Sequence, residues 1–378
     1  MNGEKIDPLQ LTPPDTARAI ATKIRKWWPV GLALLLVLIR IYAPATLIEN
    51  VYSRGVFVAV REVWDLFLPR FSPLPLYYFF WVFVAWRVFV VVRAFWRGRR
   101  SKGVGTGAGW ELLRRLLLGT AWLITIFLLG WGFNYGRVPV DQQLDFERFR
   151  MTEGELRDRV TYEARELARL RAQLTTDTLA LTAADLPGPE EVRAALKTAL
   201  RNDGYPTPGR PRVRQLYPRG ILLSFSTAGV YWPWAGEGNV DAGLHPLQKP
   251  AVGAHEMAHA YGFGDEGTCT FWAWRAGHST KDASLAYPLR LGYWRRIAGK
   301  LRQLEPEAYW AWRAAELDPG IRNDLQAIYD NAALYRDLAP ALRDATYDTY
   351  LKVQGVQEGL LNYGTVIELV EGYRRGNN

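Results

Sequence analysis

The chain has 378 residues, 49% of them hydrophobic and 13% aromatic, with a net charge of +9 and one cysteine, which excludes an intramolecular disulfide. Residues 1–136 carry 17 Lys/Arg against 7 Asp/Glu, whereas residues 137–378 carry 30 against 31. A basic excess confined to the apolar half is the mark of membrane topology and argues against a nucleic-acid partner, which would need a basic face on the folded domain.

Three apolar runs reach the length that crosses a hydrocarbon core of about 30 Å. They cover about 27–43 (WWPVGLALLLVLIRIYA), about 74–92 and about 116–133. Trp27, Trp28, Trp96, Trp110 and Trp131 sit near their ends, where amphipathic rings prefer the interface. Segment 1–26 has five Lys/Arg and loop 93–115 has seven, against three in loop 45–73. That asymmetry predicts a cytoplasmic N-terminus and second loop, with everything after the third span outside. Ala43-Pro44-Ala45 mimics a signal cleavage site, but two further spans favour a retained anchor. Arg40 and Arg87 lie near span ends, from where they can snorkel to the interface. The stretch ENVYSRGVFVAVREVWDLF, 49–67, reads as an amphipathic helix lying against the outer face of the bilayer. The lipid bilayer is therefore one expected partner.

Residues 137–378 form the expected outer domain, long enough to bury a core without disulfides. Thr152-Glu153-Gly154-Glu155 is a capping box, followed by Leu156, Val160, Leu167 and Leu174 at helical spacing. A second helix is predicted to begin at Pro189 and end before Gly204. In 212–240, β-branched and aromatic residues alternate between Gly and Pro breakers, which predicts two or three short strands. From Pro250 onward the pattern is helix after helix.

The first helix of that series contains HEMAH, residues 255–259. Positions i and i+4 share a helix face, so His255 and His259 can present two imidazole nitrogens to one point. Zinc takes such nitrogens at about 2.0–2.1 Å and in catalytic sites keeps one position open. Glu256, rotated about 100° from His255, stands beside that point and can take a proton from water acidified by the metal. Pro250 suits the helix start, and Gly262 suits a left-handed C-cap.

The third ligand is open between two neighbours. Asp265 completes HExxHxxGxxD, the spacing of metzincin-like proteases, but Asp265 also suits the N-cap of the next helix. In that arrangement Glu266 sits on the first turn, free to face the histidines, and geometry favours it. Cys269 could be a thiolate ligand or a small buried residue.

The chain resembles a family of bacterial membrane proteins of unknown function, with three N-terminal spans and an extracytoplasmic HExxH domain. The resemblance rests on GVYWPWAGEGNVDAG (229–243), HEMAHAYGFGDE (255–266) and YDTYLKVQGVQEGLLNYG (347–364). It implies a gluzincin-like third ligand at Glu266. The family's acid-rich run ending Glu-Ala-Asn is replaced here by Gly267-Thr268-Cys269-Thr270, so Thr270 stands in place of an amide able to hold a ligand histidine.

The expected architecture is a three-helix membrane anchor, 1–136, plus a mainly helical α+β zincin-like (gluzincin-like) domain with a small sheet, 137–378. The expected function is a membrane-anchored zinc metallopeptidase, with Zn2+ on His255, His259 and Glu266, Glu256 as general base, and a peptide or protein substrate. Two rivals are a non-catalytic envelope protein stapled by zinc and a zinc hydrolase acting on peptidoglycan or lipid. An intramembrane protease does not fit, because HEMAH follows the last span by more than 100 residues. Residues 229–240, with Glu237 and Asn239, could pair with extended substrate or be plain structural strands. Tyr347, Tyr350 and Tyr363 could stabilise an oxyanion or fill the core. His245 and His278 read as structural.

Overall fold

The computed structural model describes residues 15–67, 74–102, 107–335, 338 and 362–377. It is mostly helical with one small sheet. The chain divides into two compact units, Met1–Tyr42 with Ala85–Leu129, and Ala43–Val84 with Gly130–Asn378.

The first unit is built from α1 (Asp15–Tyr42), the later part of α3 (Leu76–Lys102) and most of α4 (Gly107–Gly130). Trp28 packs edge-on against Trp122 at 5.3 Å, and Trp27 lies 6.2 Å from Trp110. Leu34, Leu38, Phe89 and Leu116 point outward, exposed. An apolar outer surface of this kind is stable in lipid and costly in water. Two helices, Leu76–Ala94 and Gly109–Gly130, are long and apolar enough to cross a membrane. The pair Lys26–Tyr42 and Ala45–Leu66, bent by 113°, makes a third candidate if it is one broken span.

The second unit holds the large core. The stretch read as an amphipathic helix becomes a π-helix, Ile48–Val56, running into α2 (Phe57–Phe67). One side of it is buried in this unit through Ile48, Tyr52, Phe57, Glu49, Ser53 and Arg61, while Leu47, Val51, Val63 and Leu66 stay exposed. Residues 43–84, placed by the sequence reading in the membrane half, thus share a unit with the HEMAH segment.

Next come α5 (Glu153–Arg171), capped by Thr152 and Glu155 as a capping box, and α6 (Pro189–Asn202). Three strands follow where alternation predicts them: β1 (Val213–Leu216), β2 (Gly229–Trp232) and β3 (Glu237–Asp241). Their order is β1-β3-β2, with β1 parallel and β2 antiparallel to the central β3. Beyond the sheet run α7 (Lys249–Ala260), α8 (Glu266–His278), α9 (Ala283–Leu304), α10 (Pro306–Ala315), α11 (Pro319–Ala333) and α12 (Asn362–Gly376). Leu167, Leu196, Leu200, Phe271, Trp272 and Trp294 interlock at the centre of the core.

The sheet bears on α7 at two glycines. A Cβ on Gly238 would lie 2.6 Å from the Cβ of Glu256, and one on Gly229 would lie 2.6 Å from Glu256 Oε1. The helix approaches the strands too closely for any side chain at either position.

Candidate metal centre

Two helices and the turn between them build the site. α7 ends at Ala260, the backbone reverses through Gly262 at φ 91°, and α8 begins at Glu266. Gly262 is required twice over: its left-handed conformation favours glycine, and a Cβ there would meet Phe57 Cε1 at 2.8 Å. Asp265 accepts from the Thr268 backbone N–H at 2.6 Å and caps α8, with its carboxylate occupied in that role. Glu266 therefore stands on the first turn, buried, with its carboxylate toward α7.

His255 Nε2 lies 2.9 Å from Glu266 Oε2 and 3.2 Å from His259 Nε2, and His259 Nε2 lies 3.6 Å from Glu266 Oε1. The opposite nitrogens are both engaged. His259 Nδ1 donates to the Phe263 carbonyl at 2.8 Å. Thr270 Oγ1 donates to the Glu266 carbonyl at 3.1 Å, so it accepts from His255 Nδ1 at 3.0 Å. With both protons on Nδ1, each Nε2 offers a lone pair, and these converge with a carboxylate. Three acceptors at this spacing repel one another unless a cation or a proton lies among them. Burial works against charge on Glu266, yet where a proton rather than a cation lies among the three, the protonated His259 and then His255 hold its carboxyl well below the usual carboxylate range.

His255, His259 and Cys269 also offer ligand atoms within 4.8 Å of one another. Cys269 approaches from the other side: its Sγ is 3.3 Å from His259 Nδ1 and 3.4 Å from the Phe263 carbonyl. Burial pushes its thiol up to about 12. The donor set on the Nε2 side is two imidazoles and a carboxylate, which suits zinc.

Glu256 is buried, and its Oε2 has no hydrogen-bond partner within the protein. Burial first, and then the Glu266 charge, push its carboxyl up to about 8, against the pull of His259. A buried carboxylate oxygen with no protein partner is uncommon and marks a place where a water or a ligand completes the bonding.

Some neighbours of the site were invisible in the sequence. Trp131, expected at a membrane interface, is buried and donates its indole N–H to the His259 carbonyl at 2.7 Å. Tyr231 of β2 stacks on the His259 ring, 6.0 Å away at 25°. Arg137 donates to the Gly262 carbonyl at 3.1 Å and is ion-paired with Glu49 at 2.7 Å. A tryptophan-glycine pair at a span end carries no signal for such contacts.

Other expected residues fall elsewhere. Glu237 faces Arg214 and the start of α3, and Asn239 bonds along the sheet to the Val230 carbonyl. His245 caps a short turn through Leu247 N, and His278 donates to the Trp274 carbonyl. Tyr347 and Tyr350 lie outside the described residues, and Tyr363 contributes its backbone to α12.

A family profile described as "Protein of unknown function (DUF3810)" matches residues 52–370. No curated protein and no solved structure matches the chain.

Proposed function

Since the chain belongs to the DUF3810 family, whose description names no activity, we propose from its own residues that it is a membrane-anchored zinc metallopeptidase. Zn2+ would be held by His255, His259 and Glu266. The observation that carries the reading is the convergence of both Nε2 lone pairs on the Glu266 carboxylate, with Phe263 and Thr270 holding the opposite nitrogens. Such outer partners fix ring orientation and raise ligand basicity.

A zinc ion held by these residues would supply Lewis acidity. Glu256 does the proton work. Its unpartnered Oε2 accepts a proton from the attacking water and returns it to the leaving amine. A purely structural zinc site has no use for this residue, and a buried carboxylate kept only for the fold would have its oxygens bonded. A peptide bond is the favoured target, with the catalytic unit outside the cytoplasm.

The test pairs zinc stoichiometry with peptide turnover in purified full-length protein. Glu256→Gln should retain zinc and lose turnover by about 10²–10⁴-fold, the usual weight of a general base. His255→Ala should lose both. Full turnover in Glu256→Gln would refute the mechanism, and loss of zinc there would favour a structural role.

A further inference from the structure

Adjacent residues of an extended strand point to opposite faces, and β2 uses both. Tyr231 stacks on the His259 ring, on the α7 side of the sheet. Trp232, the next residue and the last of β2, meets the start of α3 instead. Its ring centroid lies 5.1 Å from Tyr77, 5.3 Å from Phe80 and 5.6 Å from Trp81. Trp234 closes the group, 5.2 Å from Trp232 and 5.6 Å from Phe80.

Hydrogen bonds fix the same junction. Glu237, the first residue of β3, is buried, and its Oε1 accepts from the backbone N–H groups of Leu76 at 2.5 Å and Tyr77 at 3.4 Å. A carboxylate there satisfies amides that the first turn of a helix leaves unbonded, and it answers the helix dipole. Tyr78 Oη donates to the Tyr217 carbonyl at 2.7 Å and accepts from Tyr217 N at 2.6 Å, immediately after β1. All of these residues belong to the compact unit that carries His255. The sheet is therefore pinned to α7 on one face and to the first turns of α3 on the other.

From Leu76 to Ala94, α3 is 19 residues long and apolar enough to cross a membrane. At 1.5 Å per residue that is about 28 Å, against about 30 Å for a hydrocarbon core, so an α3 that spans has no length to spare. Leu76 then stands at one surface of the bilayer. Tyr77, Phe80, Trp81, Trp232 and Trp234 are aromatic residues of the kind that gathers there. Three steps along β2, about 10 Å in all, lead from Trp232 back to Gly229. At Gly229 a Cβ would lie 2.6 Å from Glu256 Oε1. The candidate centre and the bilayer surface are thus separated by the length of one short strand, whichever side of the membrane that surface faces.

We propose that the protein cleaves membrane-spanning polypeptides close to the bilayer surface, at peptide bonds a few residues beyond the end of the substrate's own span. This rests on the peptidase reading above and adds to it the class of substrate. A chain leaving the bilayer in extended form covers about 10 Å in three residues. Bonds at that height reach Glu256 while their anchor stays in lipid, whereas bonds much farther out reach it only by looping back.

The test reconstitutes full-length protein in liposomes with a pool of single-span helices, each followed by a long randomised stretch. The same stretch without the helix forms a soluble pool. Cut positions are read by mass spectrometry, and only cuts that the Glu256→Gln protein does not make are counted. Anchoring concentrates any substrate at the membrane, so the position of the cut decides more than its rate. Cuts in the anchored pool should fall about three to eight residues beyond the span. Moving a preferred cut sequence outward by about ten residues should slow its cleavage about 5-fold or more, as effective concentration falls with tether length. Cuts spread evenly along the anchored stretch, or a soluble pool cut as fast at equal concentration, leave the peptidase reading standing and overturn this proposal. Zinc-loaded protein that cuts neither pool overturns the peptidase reading, and this proposal with it.

Discussion

Trp131 donates its indole N–H to the carbonyl oxygen of His259 at 2.7 Å. The donor sits one residue beyond α4, and the acceptor belongs to a residue whose ring faces Glu266. Trp131→Phe keeps an aromatic ring and removes this bond. Gly262 N also donates to the same carbonyl at 2.9 Å, so the oxygen is not orphaned. The expected loss is therefore about 0.5–1.5 kcal/mol, the net worth of one hydrogen bond. Thermal melts of the two proteins should show it, and an unchanged melting temperature would remove Trp131 as a support of α7.

Asp265 caps α8, and the proposed zinc reading gives the adjacent Glu266 the separate task of ligand. Glu266→Ala should lower zinc occupancy about 10-fold or more, a range that outer partners of a ligand already reach. Asp265→Asn should keep the metal, because asparagine caps a helix about as well as aspartate. Metal analysis of the two purified variants decides the matter. Zinc retained by Glu266→Ala and lost by Asp265→Asn would move the ligand role to Asp265.

Gly238→Ala introduces a Cβ that would sit 2.6 Å from Glu256 Cβ and 3.3 Å from the Glu256 backbone carbon. The second contact is backbone, so α7 as a whole has to shift away from β3. Overpacking of this kind costs about 1–3 kcal/mol. Lower stability together with weaker zinc retention is expected. A variant as stable and as zinc-replete as wild type would contradict the close approach.

His278, the last residue of α8, is half-buried, and loss of solvent around its ring, then the Arg290 charge, push its pKa from 6.5 down to about 3. The folded state thus resists a proton that the unfolded chain accepts. This stability is full above pH 6.5 and is lost as pH falls toward 3. The slope is at most about 1.4 kcal/mol per pH unit. His278→Gln carries no such titration, so its stability difference from wild type should change steadily across that window. A difference that stays constant with pH would show that His278 does not titrate this way.

Much of the helical framework was legible because its signals are local. Thr152 and Glu155 announce the start of α5, Pro189 starts α6, and Gly262 closes the HEMAH helix. His255 and His259 share a face because four residues make about one turn. Thr270, on α8, was less readable: only the structure puts its hydroxyl 3.0 Å from His255 Nδ1. The environment of 49–67 was not readable at all. Apolar periodicity marks a face that leaves water, and it does not say whether lipid or protein receives it. Here Ile48 and Phe57 go into the protein, whereas Val51 and Leu66 do not. Trp131 repeats the lesson, since an indole suits an interface and a buried hydrogen bond equally well.

The compact unit that carries His255 is assembled from Ala43–Val84 and Gly130–Asn378, with 85–129 between them in the chain. A ribosome delivers these pieces in order. The face of Ile48, Ser53 and Phe57 emerges first and has nothing to close on until Asn134 and Gly262 are made. By then the two intervening helices, each long and apolar enough to cross a membrane, have already been made. His259 acquires its brace from Trp131 only afterwards. The His255–His259–Glu266 cluster is therefore completed only after both halves of its unit have been made.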